Sequence, residues 1–151
     1  MAPLIALVSS FLLFRLLGLL GLSFFDNWHT SLQGAVAVMF LLTASAHWGK
    51  RRPDLIRMVP PFFAGSEWIV TATGFLEIAG AIGIMLPRTS LAASVCLTLL
   101  LIAMFPANVY AARNKLTIDG KPVPNLLVRT LLQILFIAAV LLASPIPVSF
   151  Q

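Results

Sequence analysis

Residues 68–86 read WIVTATGFLEIAGAIGIML, an apolar run broken by one charge, Glu77. Its length is close to the roughly 20 residues that a helix needs to cross a bilayer core. Nothing in it alternates polar with apolar over the length a membrane barrel strand requires, so the run is a helix. Gly74, Glu77, Gly80 and Gly83 recur every third residue and fall on one narrow face, where small residues let another backbone approach closely.

The rest of the chain has the same character. Of 151 residues, 60% are hydrophobic and 10% charged, and the mean hydropathy is +1.00. A water-soluble surface of ordinary charge density cannot be built from this composition. Further apolar stretches cover 2–25, 32–49, 89–105 and 126–144, and the fourth span is expected to continue beyond Pro106 as a kinked helix to about Arg113. The expected fold is therefore an all-α membrane protein with five spans: a four-helix core over 32–145 and an additional N-terminal helix within 1–31. The first stretch lacks a basic n-region, is too long for a signal peptide and shows no small-x-small cleavage site before Asp26, so it is read as a retained helix.

Charge sets the expected orientation. With five spans, Lys50, Arg51, Arg52, Arg57, Arg113, Lys115, Lys121 and Arg129 share one side, against Arg88 on the other. The positive-inside rule then places the N-terminus in the cytoplasm and the C-terminus outside. Trp28 at one interface, and Trp48, Trp68 and Tyr110 at the other, suit aromatic anchoring belts. The 50–67 loop, KRRPDLIRMVPPFFAGSE, is too short to span and too apolar to float free. It is expected to lie in the interface as a short helix, with Phe62 and Phe63 returning into the bundle. It is either a packed connector or a lid over a cavity.

Ten Lys/Arg against five Asp/Glu are too sparse and scattered for a nucleic-acid surface. The single cysteine, Cys96, excludes an internal disulfide and every CxxC centre. His29 and His47 bracket a span of ~27 Å as helix, so they cannot share a haem. Metal-ligand spacing, a phosphate loop and a nucleophile elbow are also missing from the sequence.

Polar groups inside spans are expensive and count first as functional candidates. Arg15 and Glu77 fall near mid-bilayer, ~20 Å and ~15 Å from the cytoplasmic end. They form either a structural salt bridge or a polar cavity in which Arg15 tunes the Glu77 carboxyl. His47 closes the second span with Phe40, Thr43 and Ala44 stacked on its side. Asn108 follows Pro106 at similar depth. Pro106 leaves the Ile102 carbonyl without its helical donor, so His47, Asn108 and that oxygen would rim a polar mouth above Glu77. Arg129 and Gln133, one turn apart, extend the same layer, unless Arg129 snorkels to the interface.

The segments TASAHW (43–48), RPDLIRMVPP (52–61), TGFLEIAGAIGIMLPRT (73–89) and AMFPANVYAA (103–112) together resemble the DoxX-like family of small integral membrane proteins, in the DoxX/DoxD superfamily. The resemblance covers roughly four fifths of the chain. It implies a four-helix core, a bacterial inner-membrane location, and a site to which His47, Glu77, Pro106 and Asn108 carry over. The N-terminal helix with Arg15 departs from the pattern. Members of the family are linked to thiosulfate:quinone oxidoreduction, thiol redox complexes and assembly of membrane receptors. The bundle is also similar to that of membrane sterol isomerases and sigma-2-type receptors, an analogy of fold alone.

Two functions follow as expectations. One is an intramembrane pocket formed by Glu77, His47, Asn108, Arg15, Phe40 and Thr43, which binds a small lipophilic or quinone-like molecule with a polar or cationic head. In an enzymatic version Glu77 or His47 moves a proton on a quinone or an alkene-containing lipid, as a quinone-linked oxidoreductase subunit or a lipid isomerase would. The other is an accessory subunit that binds membrane-protein partners or a second copy of itself, its polar residues only holding the bundle together. Neither requires a metal or a cofactor, quinone apart.

Overall fold

The computed structural model describes residues 1–145. Pro3 sits in the first turn of α1 (Ala2–Leu19), where a missing N–H costs nothing. This helix stops short of the expected 2–25 stretch. Gly18 lies so close under the Phe25 carbonyl that a Cβ there would come within 2.2 Å of its oxygen, and Gly21 turns at φ +103°. The chain thus folds back through a 3₁₀ turn, Ser23–Phe25, and Phe25 stacks on Phe14 at 4.5 Å.

Helix α2 (Trp28–Ser45) starts earlier than the apolar run because Asn27 caps it, accepting the His29 N–H at 3.0 Å. The 50–67 loop does hold a short helix, α3 (Arg52–Met58), with Asp54 in its first turn and Arg57 in its last. Phe62 and Phe63 do not return into the bundle. They are 76% and 44% exposed, because the chain leaves α3 at Pro60-Pro61 and re-enters helix only after Gly65, at φ +76°. Helix α4 (Ser66–Met85) carries Glu77, and α5 (Ser90–Arg113) runs through Pro106 as expected. A hairpin absent from the sequence reading follows, with β1 (Thr117–Ile118) antiparallel to β2 (Lys121–Pro122). Its two central residues, Asp119 and Gly120, have φ of +55° and +72°, the pattern of a type I′ turn. Asn125 caps α6 (Leu126–Leu142) through the Val128 N–H at 2.9 Å.

Helix α2 lies between α1 and α4, α4 packs on α5, α5 on α6, and α6 returns to touch α2. The interior holds Val36, Met39, Phe40, Ile84, Leu97 and Val140 together with buried Ser31, Glu77, Ser90, Ser94 and Gln133. The outward faces carry Leu12, Leu16, Leu76, Leu99, Leu131 and Ile134. Polar groups inside and aliphatic groups outside are the distribution expected in lipid, where only internal hydrogen bonds can satisfy a polar atom. Helices α1, α4 and α5 are each long and apolar enough to cross a membrane. Helix α6 is as apolar but shorter, and α2 opens with a polar turn, WHTSLQ.

The glycines of α4 divide their contacts. A Cβ on Gly80 would lie 2.3 Å from Leu97 Cδ2 and one on Gly83 2.9 Å from Ala93 Cβ, so both admit α5. A Cβ on Gly74 would lie 2.8 Å from His47 Cβ, so this position admits the end of α2. Leu97 is 1% exposed and has no space into which to withdraw. Gly80→Ala is therefore expected to destabilise the protein in detergent by about 1–3 kcal/mol through overpacking. That outweighs the ~0.5–1 kcal/mol of helix propensity that alanine adds. Denaturant unfolding followed by circular dichroism measures the difference, and an unchanged or raised midpoint would refute the close α4–α5 contact.

Candidate functional site

Thr43, four residues before His47 on α2, faces Glu77 across the contact that Gly74 narrows. Its hydroxyl is 2.8 Å from Glu77 Oε2 and 3.0 Å from the Phe40 carbonyl, two acceptors for one proton. Glu77 is 2% exposed, and among the described residues Thr43 is its one hydrogen-bond donor. His47 Nδ1 stands 3.9 Å from Glu77 Oε2 and 3.1 Å from the Thr43 carbonyl. Donation to that carbonyl places the proton of the neutral ring on Nδ1 and leaves Nε2 as an acceptor. Arg52 fixes the turn beyond His47, donating to its carbonyl at 2.9 Å and to Thr71 Oγ1 on α4 at 3.0 Å.

A second polar group comes from α5 and α6. Arg129 Nη2 donates to Asn108 Oδ1 at 2.5 Å, Asn108 Nδ2 donates to Gln133 Oε1 at 3.3 Å, and Gln133 Nε2 donates to the Leu101 carbonyl at 2.5 Å. The side-chain donor thus reaches Leu101, one residue before the Ile102 carbonyl expected to be exposed. Among the described residues the Arg129 guanidinium makes no other hydrogen bond, and its Nε is buried without an acceptor.

The two groups face one cavity with two lobes. The inner lobe, about 280 Å³, is bounded by Phe40, Thr43, Glu77, Asn108, Arg129 and Gln133, with Met39, Met104 and Phe136 as apolar wall. The outer lobe, about 890 Å³, adds His47, Pro106, Leu55 and Met58 of α3, and Lys121 of the hairpin, whose Ile118 borders both lobes. The outer volume falls within the ~300–1,000 Å³ usual for small-molecule pockets. Of the residues anticipated from sequence, Glu77, Thr43, His47, Asn108 and Phe40 line this space. Arg15 does not. Its guanidinium donates to the Asp26 carbonyl at 2.6 Å and to that of Phe25 at 3.4 Å, at the end of α1 remote from Met1 and Pro3, which border the cavity. The Arg15–Glu77 pairing weighed from sequence is not formed, because the reversal at Gly18–Gly21 supplies carbonyls to Arg15 first. Among the described residues no group of three or more His, Cys, Asp or Glu is placed to hold a metal.

Helix α3 and the hairpin form the outer wall, and Asp54 joins them. It accepts the Asp119 N–H at 2.8 Å and the Arg57 guanidinium, while Arg51 stands 3.7 Å from the Asp119 carboxylate. The sequence signal for this wall was the Asp119-Gly120 pair, a strong short-range mark of a hairpin.

These features define a small all-helical protein with membrane-length helices and a mainly apolar cavity bordered by a few polar side chains. Residues 36–144 match the family model described as a domain of unknown function (DUF8561), and the chain belongs to that family. The matched region runs from within α2 to just past α6 and leaves out α1. No curated protein and no solved structure matches the chain.

The Asp119 N–H and the Arg57 guanidinium hold the Asp54 carboxyl below its ordinary value of 3.8. A carboxyl lowered in the folded state stabilises the α3–hairpin contact fully at neutral pH, and the contribution is lost as pH falls through the lowered value. Asp54→Ala is therefore expected to speed hydrogen exchange at the Asp119 amide at neutral pH, with the global melting temperature little changed. Exchange no faster than in the parent protein would show that Asp54 does not latch the wall.

Proposed function

We propose that this chain is a five-span membrane protein, crossing with α1, α2, α4, α5 and α6, whose cavity binds a small lipophilic molecule, a lipid or a quinone-like compound, by its polar head. The observation that carries this reading is Glu77, a buried carboxyl that has, among the described residues, a single hydroxyl donor and borders a cavity of otherwise mainly apolar wall. A carboxyl needed only to tie two helices would be expected to have its oxygens satisfied by the bundle.

The remaining features support the same reading. Arg51, just before α3, and Lys121 of the hairpin border the outer lobe, on the side that the positive-inside rule makes cytoplasmic together with the N-terminus. His47, Glu77, Pro106 and Asn108, the site residues that the resemblance to DoxX-like proteins implies, all border the outer lobe. In the chemistry available there, the His47 imidazole and the Glu77 carboxyl exchange a proton with a bound head group.

The discriminating variant is Glu77→Gln, which keeps the shape and an oxygen for Thr43. Native mass spectrometry of protein taken from its membrane in mild detergent is expected to show a bound lipophilic molecule that the variant retains poorly, at a stability cost of ~0.5–1.5 kcal/mol. If neither protein carries a ligand and the variant loses roughly 3–5 kcal/mol, Glu77 is a structural tie and the accessory-subunit reading replaces the pocket.

A further inference from the structure

Resting on the pocket reading, the charges of the cavity narrow its occupant. Two ionisable side chains of opposite sign, Glu77 of α4 and Arg129 of α6, border both lobes. Among the described residues they form no ion pair with each other and Arg129 meets no carboxylate, while the ionisable group beside Glu77 is His47, whose Nδ1 stands 3.9 Å from Oε2 and is turned to the Thr43 carbonyl. Glu77 accepts from Thr43 on Oε2 and, among the described residues, takes no hydrogen bond on Oε1. Arg129 has five N–H donors and one acceptor, Asn108 Oδ1, and its buried Nε has none.

The arrangement around Arg129 is not that of a snorkelling residue. Asn108 accepts from the guanidinium through Oδ1 while its Nδ2 is occupied by Gln133, and Gln133 is anchored in turn on the Leu101 carbonyl. This chain fixes the orientation of the amide oxygen that Arg129 uses, so the guanidinium is held at the cavity by residues of two helices. A wholly cationic head would meet Arg129 across the cavity, and a wholly anionic head would meet Glu77. A head with an anion at one end and an ammonium at the other satisfies both, because buried charges persist when they are paired and hydrogen-bonded. Apolar wall from Met39, Met104 and Phe136 beside these groups suits an acyl chain on that head.

We propose that the cavity binds a zwitterionic amphiphile, its phosphate or carboxylate on Arg129 and its ammonium on Glu77, of the aminophospholipid type. The test is a binding panel on the purified full chain in neutral detergent, read by native mass spectrometry titration. The probes are lysophosphatidylethanolamine, lysophosphatidic acid, a monoacylglycerol of the same chain length, and phosphoethanolamine without a chain.

The zwitterionic lysolipid is expected to bind roughly ten- to hundredfold more tightly than the other three, the range set by a charge-assisted hydrogen bond. Arg129→Gln should reduce its affinity to that of the monoacylglycerol, and Glu77→Gln to that of lysophosphatidic acid, while Arg129→Lys keeps the preference and reports on folding. If the monoacylglycerol binds as well as the lysolipid and Arg129→Gln changes neither, the zwitterion assignment is overturned and the pocket stands. If phosphoethanolamine alone binds equally well, the occupant is a free small zwitterion and the lipid assignment is overturned. If no amphiphile binds at all, the pocket reading fails together with this one.

Discussion

The hydrogen bond between Thr43 and Glu77 joins the two helices at the centre of the structure, and much of the interior is arranged around it. It requires α2 and α4 to approach closely, which Gly74 permits by leaving the space that the His47 side chain occupies. The same approach sets the imidazole 3.9 Å from the carboxyl and its Nδ1 on the Thr43 carbonyl. Arg52 then closes the turn that follows, so that the position of α3 at the cavity mouth depends on the register of α2 against α4. A side chain at position 74 would push His47 outward and lengthen each of these contacts in turn.

At the opposite end of the bundle a second polar set works without leaving space. Gln33 of α2 donates to Ser90 Oγ and to the Ala143 carbonyl, both at 3.1 Å, and His29 Nε2 is 2.9 Å from the Ser144 carbonyl. These bonds tie α2 to the start of α5 and to the C-terminal end of α6. Gln33 is spent on protein acceptors, and the neighbouring Ser94 hydroxyl is satisfied by its own helix. The contrast with Glu77 and Arg129 is physical rather than one of residue type. Gln33 and His29 at one end are spent on a serine hydroxyl and backbone carbonyls, whereas Glu77 and Arg129 at the other border the cavity.

How much of this was legible in the sequence depends on what each residue's position encodes. Apolar length marked each long helix, since burying or facing lipid with an entire helix needs a continuous run. Glu77, His47 and Asn108 stood out because each is polar in apolar surroundings, and the helical spacing of Thr43 and Phe40 placed them beside His47. Arg15 stood out for the same reason, yet depth along a helix says nothing about which neighbour is reached. The close contact under Gly18 and the turn at Gly21 bring the Phe25 and Asp26 carbonyls to Arg15, and no hydropathy pattern records that. Phe62 and Phe63 failed for a related reason, since apolar character predicts contact with something apolar but does not distinguish a protein interior from a lipid surface.

The cavity follows from an asymmetry along α5. Toward its start, Gly80 and Gly83 of α4 draw α5 in until Leu97 and Ala93 fill the space a Cβ would need. Toward its end, Pro106 removes a backbone donor and its ring crowds the preceding turn, which bends a helix away from ideal geometry. Gln133 of α6 reaches across to the Leu101 carbonyl in that region, and Asn108 two turns later is held by Arg129 and Gln133. Side-chain bonds thus replace direct packing where α5 and α6 meet, and the inner lobe lies between them and the Thr43–Glu77 contact. A bundle held by glycine contacts at one end and by a proline-centred polar network at the other is closed at the first and open at the second, which puts the cavity under α3 and the hairpin.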